Sequence, residues 1–316
     1  MKRFLKFFIS VLLILIVILI IGSYLIAVNK KQSLTEEDRK AAPGQFVQLS
    51  KGLIHYELSG SDNGQTVVLI HGFTTPSFVW DFNVEELRNA GFRVLRYDHF
   101  GRGWSDRPDV KYDRNLYDQE LAELLQILKI KLPVHIVGLS MGGAISVIFA
   151  DRHPEMVSSV SLIAPAGFPV KQSFAIKLAK TPILGDYIMA LLGDRVVLAG
   201  VKKAFVHPER LPEYEEKFKV QMKHKGFIKS LLSTIRYMHM DQLTDAYERL
   251  GRQNKPVLLI WGKKDMILPF SISEKAKTAL PNAEFHAIGN GGHTVNYENP
   301  ELVNPILLKF LLGHES

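Results

Sequence analysis

Gly138-Leu-Ser-Met-Gly142 places a serine between two glycines, each two residues away from it. The segment follows the apolar run 134–137 and precedes a helical pattern that begins near Met141. A serine on a strand-to-helix turn exposes its Oγ, and the glycines leave space for the sharp turn and the closely packed helix. The pattern predicts that Ser140 is a nucleophile for acyl transfer. The alternative is an ordinary helix N-cap.

A serine nucleophile needs a general base within hydrogen-bond reach and a third group that orients the base. Asp265 follows the predicted strand 257–261, and His293 follows the predicted strand 283–288. Taken singly, Asp265 could be a solvated loop acid and His293 one of eleven histidines. Because functional loops gather at the carboxyl ends of parallel strands, the order serine, acid, histidine predicts one site. His293 is the predicted base and Asp265 the orienting acid.

Acyl transfer also needs hydrogen-bond donors for the oxygen that becomes negative in the tetrahedral intermediate. The first predicted donor is the backbone N–H of Met141, directly after the nucleophile. The second is predicted from His71-Gly-Phe-Thr74, which follows the apolar run 66–70, with Phe73 as its source. His71 is predicted to brace this loop and to take no part in the chemistry.

Asp98-His-Phe-Gly-Arg-Gly103 is a second glycine-containing loop, after the predicted strand 92–97. It lacks the Lys-Ser/Thr of a phosphate-binding P-loop and the glycine spacing of a dinucleotide site. We therefore predict that Asp98 and Arg102 support the site. The alternative is that they contact the ligand.

The hydrophobic pattern predicts eight strands, with helices at 116–128, 141–152 and 301–312. The predicted strands are 46–49, 53–60, 66–70, 92–97, 134–137, 157–164, 257–261 and 283–288. Strands that alternate with helices imply an α/β protein with an open, mostly parallel sheet covered on both faces. Pro305 is expected in the first turn of the last helix, where proline is tolerated.

The alternation stops in the segment 168–254, which has helical spacing and internal prolines and glycines. We predict that this segment is a helical cap inserted into a core formed by 45–167 and 255–316. Residues 31–44 are predicted to form a linker with a short helix, because Ser33-Leu-Thr-Glu-Glu-Asp has a capping residue followed by acids.

Residues 7–28 contain no charge and no proline. As a helix this segment would be about 33 Å long, close to the roughly 30 Å hydrocarbon core of a bilayer. It has no polar face, unlike most core helices, and no small-x-small cleavage site, unlike a signal peptide. We predict that residues 1–30 form a single transmembrane anchor. A cleaved signal sequence and a buried core helix are the alternatives.

Basic residues flank this segment almost equally, with Lys2, Arg3 and Lys6 before it and Lys30 and Lys31 after it. The positive-inside rule therefore gives only a weak preference between the two orientations of the segment in the membrane. A very short N-terminal tail before a long apolar run usually stays in the cytoplasm, which predicts an extracytoplasmic catalytic domain. The chain has no cysteine, which is compatible with an oxidising compartment.

The formal net charge is +7. No zinc-ligand spacing, recognition-helix pattern or basic-aromatic interleaving accompanies it, so the sequence does not indicate a nucleic-acid partner. Attraction to an anionic membrane surface explains the charge more simply. The basic stretch 217–229 in the cap is predicted to face that surface. The alternatives are a solvated helix face and a surface that attracts acidic substrates such as acyl carriers.

From about residue 48 to 312 the chain resembles the α/β-hydrolase superfamily, most of all its lid-bearing esterases and lipases. The matching motifs are HGF at 71–73, DHFGRG at 98–103, GLSMG at 138–142, WGKKD at 261–265 and GGH at 291–293. The resemblance implies an eight-stranded core sheet with a cap inserted after the sixth strand. It looks closest to bacterial carboxylesterases and monoacylglycerol-lipase-like enzymes. Superfamily members with an aspartate nucleophile are disfavoured by Ser140.

Hydrolases of aromatic ring-fission products share the Ser-Met-Gly-Gly run. They usually have a glycine-rich loop after His-Gly and a tryptophan after the catalytic histidine, where this chain has Phe73-Thr74 and Thr294. The sequence therefore favours a membrane-anchored carboxylic ester hydrolase that acts on lipid-like esters without metal or organic cofactor. The alternatives are a C–C bond hydrolase, an acyltransferase and a non-catalytic binding module.

Overall fold

The computed structural model describes residues 1–172 and 174–314. Eight strands form one sheet. They are β1 (Gln45–Leu49), β2 (Gly52–Gly60), β3 (Thr66–Ile70), β4 (Arg93–Tyr97), β5 (Val134–Leu139), β6 (Val157–Ile163), β7 (Val257–Gly262) and β8 (Glu284–Ile288). Every run that the sequence predicted as a strand forms one, with bounds that differ by at most two residues.

The strand order is β1-β2-β4-β3-β5-β6-β7-β8. β1 pairs with β2, and β2 with β4, in antiparallel fashion, whereas all later pairings are parallel. Every residue of β3, β5 and β7 is buried, as expected for strands covered on both faces. The predicted eight-stranded, mostly parallel sheet is confirmed.

The helices follow the predicted alternation. They are α1 (Lys2–Asn29), α2 (Glu36–Lys40), α3 (Asp81–Asn89), α4 (Arg114–Ile127), α5 (Met141–Arg152), α6 (Phe174–Lys180), α7 (Leu184–Ala204), α8 (Leu211–Met222), α9 (Phe227–Tyr237), α10 (Thr244–Arg252), α11 (Ile272–Ala279), α12 (Val295–Glu298) and α13 (Pro300–Leu312). One apolar core joins the sheet to α4, α5, α10 and α11, and a second joins it to α3 and α13.

The closing helix corrects one expectation. α13 begins at Pro300, so Pro305 lies in its second turn and not in its first. Pro305 cannot donate a hydrogen bond to the carbonyl four residues earlier. Its ring is exposed, whereas Val303 and Leu307 on the same helix pack into the core.

Helices α6 to α9 lie between β6 and β7 and contact one another. The apolar sides of α7, α8 and α9 join the same core as α3 and α13. α10 packs against α5 and α11 and so covers the sheet directly. The division into a cap (168–254) and a core stays a prediction.

The linker after α1 is held to the core. Thr35 caps α2 by accepting a hydrogen bond from the Asp38 N–H at 3.2 Å, and the Asp38 carboxylate accepts one from the Thr35 N–H at 2.8 Å. Arg39 donates to Asp106, and the Pro43 carbonyl accepts from His55. The helix is shorter than the pattern from Ser33 suggested, because the capping box starts it at Glu36.

Among the described residues, α1 is the helix long and apolar enough to cross a bilayer, with a mean hydropathy of 3.2 over its best window. None of its residues is buried. Its C-terminal end contacts α7: Ser23 hydrogen-bonds with Tyr187 at 3.0 Å, and Lys31 forms an ion pair with Asp194.

Candidate active site

Ser140 lies at the turn between β5 and α5, with the backbone at φ +55° and ψ −114°. This conformation is rare for a residue with a side chain and is held by neighbours: the Ser140 N–H donates to the Ile163 carbonyl at 2.9 Å. Its side chain makes no capping hydrogen bond to α5, which the structure describes in full. The geometry thus departs from an ordinary N-cap, which has extended backbone and a side chain bonded to the first turn.

The two glycines around Ser140 are required by close approach. A Cβ on Gly138 would lie 2.3 Å from the Ser146 Oγ, and one on Gly142 would lie 2.1 Å from the Ile70 carbonyl oxygen. Any side chain at either position would push α5 away from β5 and β3. The G-x-S-x-G spacing therefore reflects the packing of the turn that presents Ser140.

Asp265 and His293 form a buried hydrogen-bonded pair at the ends of β7 and β8. Asp265 Oδ2 accepts from His293 Nδ1 at 2.7 Å, and Asp265 Oδ1 accepts from the N–H groups of Ile267 and Leu268, both at 2.8 Å. Since an ionised carboxylate only accepts, the proton of neutral His293 is on Nδ1. The lone pair of Nε2 is then available to a neighbouring hydroxyl.

Ser140 and His293 line the same cavity, while Asp265 lies behind the histidine. Among the hydrogen bonds of the described residues, none joins Ser140 directly to His293. Such hydrogen bonds are often long in unliganded sites and tighten when substrate binds. The structure thus brings the three predicted residues to one edge of the sheet.

The loop that follows β3 borders the serine. A Cβ on Gly72 would lie 3.5 Å from the Ser140 Cβ, so the loop backbone passes directly over the nucleophile. Phe73 and Gly72 both line the cavity. Met141 is the first residue of α5, where backbone N–H groups have no acceptor within the helix. Both predicted donors are therefore next to the serine.

His71 holds this loop in place, as the sequence predicted. Its Nδ1 donates to the Gly72 carbonyl at 2.8 Å, and its Nε2 accepts from the His99 N–H at 2.9 Å. Burial and the neighbouring His99 lower the pKa of His71 well below its usual value. A neutral ring is required, because Nε2 must accept.

Asp98 and Arg102 also brace the site. Asp98 accepts from His55, from the Ser77 N–H at 2.8 Å and from the Trp104 N–H at 2.9 Å. Burial alone would raise the pKa of Asp98, but the charge of His55 and its hydrogen bond lower it far below the usual range. The supporting role predicted for Asp98 is confirmed by these contacts.

Arg102 is fully buried and connects three elements. Its Nε donates to the Phe73 carbonyl at 2.6 Å, and its other nitrogens donate to Ser230 Oγ at 2.9 Å and Thr234 Oγ1 at 3.0 Å on α9. The loop that carries Phe73 is therefore tied to the helical insertion. The sequence indicated a supporting role, but the partners on α9 are far away in the chain and carry no signal.

Behind this loop, His99 and Glu120 form a second buried pair. Glu120 Oε1 lies 2.5 Å from His99 Nδ1, and Glu120 Oε2 accepts from the Phe100 N–H at 2.7 Å. Burial raises the pKa of Glu120 well above its usual value and lowers the pKa of His99 to about 3. Burial therefore favours the neutral form of each group. The sequence did not indicate this pair: His99 lies in the 98–103 loop, but Glu120 lies on α4, 21 residues further along the chain.

The end of α7 is joined to the histidine loop, another contact the sequence did not indicate. The His293 N–H donates to the Ala204 carbonyl at 3.0 Å. Glu298 Oε1 accepts from the N–H groups of Val206 and His207 at 2.6 and 2.8 Å. The position of His293 therefore depends on the helical insertion as well as on the sheet.

The cavity above Ser140 has a volume of about 460 Å³, within the range of small-molecule sites. Its wall is mainly apolar and comes from α6, α7 and α9. Besides Ser140, the polar side chains in its lining are those of Thr74, Thr75, Tyr214, His293 and Thr294. Among the described residues that line it, none is a lysine, arginine, aspartate or glutamate.

Within residues 1–172 and 174–314, no group of three or more His, Asp or Glu side chains is placed to hold a metal ion.

The family model that matches this chain is that of the α/β-hydrolase fold, over residues 65–300. The chain is 31% identical to a 2-hydroxy-6-oxononadienedioate/2-hydroxy-6-oxononatrienedioate hydrolase of Paraburkholderia phymatum, over 86% of this chain and 96% of that protein. The chain belongs to the α/β-hydrolase family and is a hydrolase.

Two solved structures have the same fold. A meta-cleavage product hydrolase from Pseudomonas fluorescens matches with a TM-score of 0.70 at 22% identity, over 86% of this chain and 98% of that chain. An esterase from Exiguobacterium antarcticum matches with a TM-score of 0.69 at 25% identity, over 85% of this chain and 99% of that chain.

Proposed function

We propose that this hydrolase is a membrane-anchored carboxylic ester hydrolase with Ser140, His293 and Asp265 as its catalytic triad. The observation that carries the proposal is the buried Asp265–His293 pair, which shares a cavity edge with a serine held at φ +55°. A non-catalytic binding module would not need a nucleophile held in a strained turn beside an oriented base.

In the proposed reaction, Ser140 Oγ attacks the ester carbonyl while His293 Nε2 accepts the hydroxyl proton. The carbonyl oxygen becomes negative and is stabilised by the N–H groups of Met141 and Phe73. The alkoxide leaves with the proton from His293, and an acyl group remains on Ser140. Water then attacks the acyl-enzyme with His293 as base, which releases the acid and restores the serine.

The substrate we infer is an ester with an uncharged, apolar acyl group. The cavity wall from α6, α7 and α9 is apolar, and none of its described lining residues is cationic. An acyl chain would gain about 0.8 kcal/mol for each methylene buried there. Monoacylglycerols and lysophospholipids are esters of this kind.

A C–C bond hydrolase is the second candidate, favoured by the 31% identical relative from Paraburkholderia phymatum. The name of that relative describes a dicarboxylate. A dianionic substrate in an apolar cavity needs cationic partners, because burial of an unpaired charge is costly. The absence of lysine and arginine among the described lining residues therefore favours the ester.

We further propose that α1 is an uncleaved anchor and that the catalytic domain lies outside the cytoplasm. The absence of buried residues in α1 argues against a core helix. Ser23 and Lys31 contact Tyr187 and Asp194 on α7, contacts that cleavage after α1 would remove or weaken. A C-terminal reporter active only outside the cytoplasm would support the orientation, and one active only inside would contradict it.

The test of the chemistry compares Ser140→Ala with Ser161→Ala. Ser161 is buried, unlike the half-buried Ser140, and its Oγ has no hydrogen-bond partner among the described residues. We expect Ser140→Ala to lower the hydrolysis of p-nitrophenyl butyrate by at least about ten-thousandfold and to abolish fluorophosphonate labelling. Ser161→Ala should keep both. Retention of near wild-type turnover by Ser140→Ala would refute the mechanism.

The test of the substrate class uses p-nitrophenyl esters of increasing chain length beside 2-hydroxy-6-oxononadienedioate. For the proposed esterase, kcat/KM rises from acetate to medium-chain esters because more methylenes are buried. Faster cleavage of the dicarboxylate than of every ester would establish the C–C hydrolase instead.

A further inference from the structure

Large apolar side chains are exposed along α6, the start of α7 and the turn between them. The exposed fractions are 79% for Phe174, 85% for Ile183 and 49% for Leu184. Ile176, Leu191, Leu192 and Val196 extend the same surface. A concentration of large exposed apolar side chains on neighbouring elements marks a surface that another molecule or a membrane covers. We call this surface the α6–α7 face.

Ile183 forms the tip of this face in a strained conformation. Its φ is +64°, which is a genuine outlier for a β-branched residue. The Asp186 carboxylate holds the turn by accepting from the Ile183 N–H at 3.0 Å. Arg236 on α9 in turn donates to both Asp186 oxygens at 2.9 and 3.0 Å. The turn is therefore fixed so that an isoleucine points away from the protein.

The α6–α7 face lies beside α1. Ser23 contacts Tyr187, and eight residues further on Lys31 contacts Asp194, which is seven residues beyond Tyr187. The two segments therefore run side by side in the same direction. Tyr187 is at the level of Ser23, inside the apolar stretch that ends at Val28.

This alignment sets the depth of the turn relative to α1. At 1.5 Å per residue, Ser23 lies about 7.5 Å before Val28, and Leu184 lies about 4.5 Å before Tyr187. Leu184 is then about 12 Å below the end of the apolar stretch of α1. If α1 crosses a bilayer, the exposed residues of the α6–α7 turn are at the depth of lipid acyl chains.

Basic residues lie at the level expected for lipid headgroups. The Gln32 N–H donates to the Lys223 carbonyl at 3.0 Å, and the Lys225 N–H donates to the Gln32 carbonyl at 2.7 Å. Lys30 and Lys31 complete this group at the end of α1. The order along the α1 axis, apolar turn first and lysines second, is that of a surface immersed in one leaflet.

The same face borders the substrate cavity. Phe174 and Ile176 are both exposed and both line the cavity above Ser140, whereas Ile183 and Leu184 do not line it. A molecule in the leaflet could therefore pass from beside α6 to Ser140 without crossing water. Lys177 and Lys180 on α6 carry long apolar stems, which lets lysines at such a surface extend their ammonium groups toward water.

We propose that the α6–α7 face is inserted in the leaflet next to α1 and that ester substrates reach Ser140 from among the lipid acyl chains. The occupant of the face is the bilayer, because the face continues the apolar surface of α1 and the lysines stand above it. This inference rests on the anchor proposed above. It adds a second membrane contact and a route for the substrate.

The chain has no cysteine, so single cysteines can carry a fluorescent label in the full-length protein. A label at Ile183→Cys probes the environment of the α6–α7 turn. A label at Ile14→Cys, in the middle of α1, is the control for lipid contact. A label at Ile127→Cys, an exposed apolar position at the end of α4, is the control for a surface in water. The labelled proteins are placed in nanodiscs of phosphatidylcholine and phosphatidylglycerol. Quenching by nitroxide-labelled lipid is compared with quenching by iodide.

We expect lipid nitroxide to quench the label at 183 several-fold more than the label at 127. Iodide, which stays in water, should quench the label at 127 more than the label at 183. The proposal is overturned if the labels at 183 and 127 behave alike while the label at 14 is quenched by lipid. Protection at 183 from both quenchers would also overturn it, because a second protein copy would then cover the face. If lipid nitroxide did not quench the label at position 14, the proposal that α1 is a membrane anchor would itself be refuted.

Fluorophosphonate labelling of Ser140 in each variant separates these outcomes from failure of the proposed chemistry. A second measurement uses Ile183→Glu, with Ile127→Glu as the matched control. Hydrolysis of a long-chain ester embedded in the nanodisc should fall about tenfold in Ile183→Glu only, while a short soluble ester is cleaved at the wild-type rate. Equal loss on both esters, or on neither, would contradict the proposed route.

Discussion

Asp265 is held at both carboxylate oxygens, and this sets the protonation of His293. Oδ1 accepts from two backbone N–H groups, so the side chain cannot rotate without losing both hydrogen bonds. Oδ2 is then fixed at 2.7 Å from His293 Nδ1. In a neutral imidazole held this way the proton is on Nδ1, and the lone pair of Nε2 is free for the role of a general base.

Asp265→Asn is expected to lower kcat by about a thousandfold to ten-thousandfold, the size of this effect in serine proteases. The asparagine keeps its carbonyl oxygen on the two backbone N–H groups, so its NH₂ group faces His293 Nδ1. His293 must then carry its proton on Nε2 and cannot accept the one from Ser140. Ester hydrolysis and thermal unfolding are measured together.

Asp113→Asn is the matched control. Asp113 Oδ1 also accepts from two backbone N–H groups, those of Asn115 and Leu116, but it caps α4 and, among the described residues, forms no hydrogen bond with a histidine. The Asp113→Asn variant should hydrolyse the ester at the wild-type rate. An Asp265→Asn protein that retains more than about a tenth of wild-type kcat would show that Asp265 does not set the histidine tautomer.

At the scale of elements, the site depends on contacts between the sheet loops and the helical insertion. Arg102 joins the loop after β4, the loop after β3 and α9. The His293 N–H is bonded to the last residue of α7. The insertion therefore helps to place both the base and one predicted oxyanion donor.

Arg102→Lys should lower kcat about tenfold with little change in KM, less than the hundredfold or more for outright loss of an oxyanion donor. Lysine cannot hold Phe73 and α9 at once, so the Phe73 N–H moves from its position. The affinity for a trifluoromethyl ketone, which mimics the tetrahedral state, should fall by the same factor.

Arg107→Lys serves as the control, because Arg107 donates to carbonyls of its own loop at Ser105 and Gly103. It should leave kcat and ketone affinity near wild type. If Arg102→Lys alters thermal stability but neither kcat nor ketone affinity, Arg102 supports the fold only.

Buried His135 on β5 is expected to make the free energy of unfolding fall as the pH is lowered. Burial, with a smaller contribution from His314, lowers the pKa of His135 to about 4. Between pH 6.5 and 4 the unfolded chain therefore binds a proton that the folded protein does not. The free energy of unfolding should fall by about 1.4 kcal/mol for each pH unit in this range from one such histidine.

His135→Gln should make this dependence shallower by about 1 kcal/mol per pH unit, measured by denaturant unfolding in detergent from pH 7 to 4. His99, with its pKa lowered to about 3, maintains a remaining slope. An unchanged slope in His135→Gln would mean that His135 is protonated in the folded protein.

Across the whole molecule, ion pairs neutralise several lysines of the basic stretch 217–229. Lys217 pairs with Asp81 and Glu213, Lys219 with Glu215 and Lys229 with Asp109. Their charges are therefore largely balanced by neighbours. Lys223 and Lys225 stand next to Gln32 at the end of α1, so they are the members best placed to attract an anionic surface.

Lys223→Glu combined with Lys225→Glu should weaken hydrolysis of an ester in anionic vesicles several-fold, since each lysine near such a surface contributes about 1 kcal/mol. The difference should shrink at high salt, and short soluble esters should be unaffected. Lys309→Glu on α13 is the control. Equal effects on neutral and anionic vesicles would rule out an electrostatic role.

The sequence alone determined the sheet, the nucleophile turn and the order of the candidate site residues. Buried parallel strands are continuous apolar runs, and the loops after them meet at one edge, so local pattern and chain order suffice. Gly138 and Gly142 could be interpreted for the same reason, because their role is set by the turn in which they stand. The apolar length of α1 is likewise a local property.

The surroundings of the site depend on tertiary contacts that no local pattern predicts. The partners of Arg102 on α9, the pairing of His99 with Glu120 and the bond from His293 to α7 join residues distant in the chain. Side chains that meet across such distances have no fixed separation in the sequence, so a periodic sequence pattern cannot predict their contacts. The alignment of α7 with α1 and the apolar, uncharged cavity wall depend on how helices pack, and packing is a property of the folded chain.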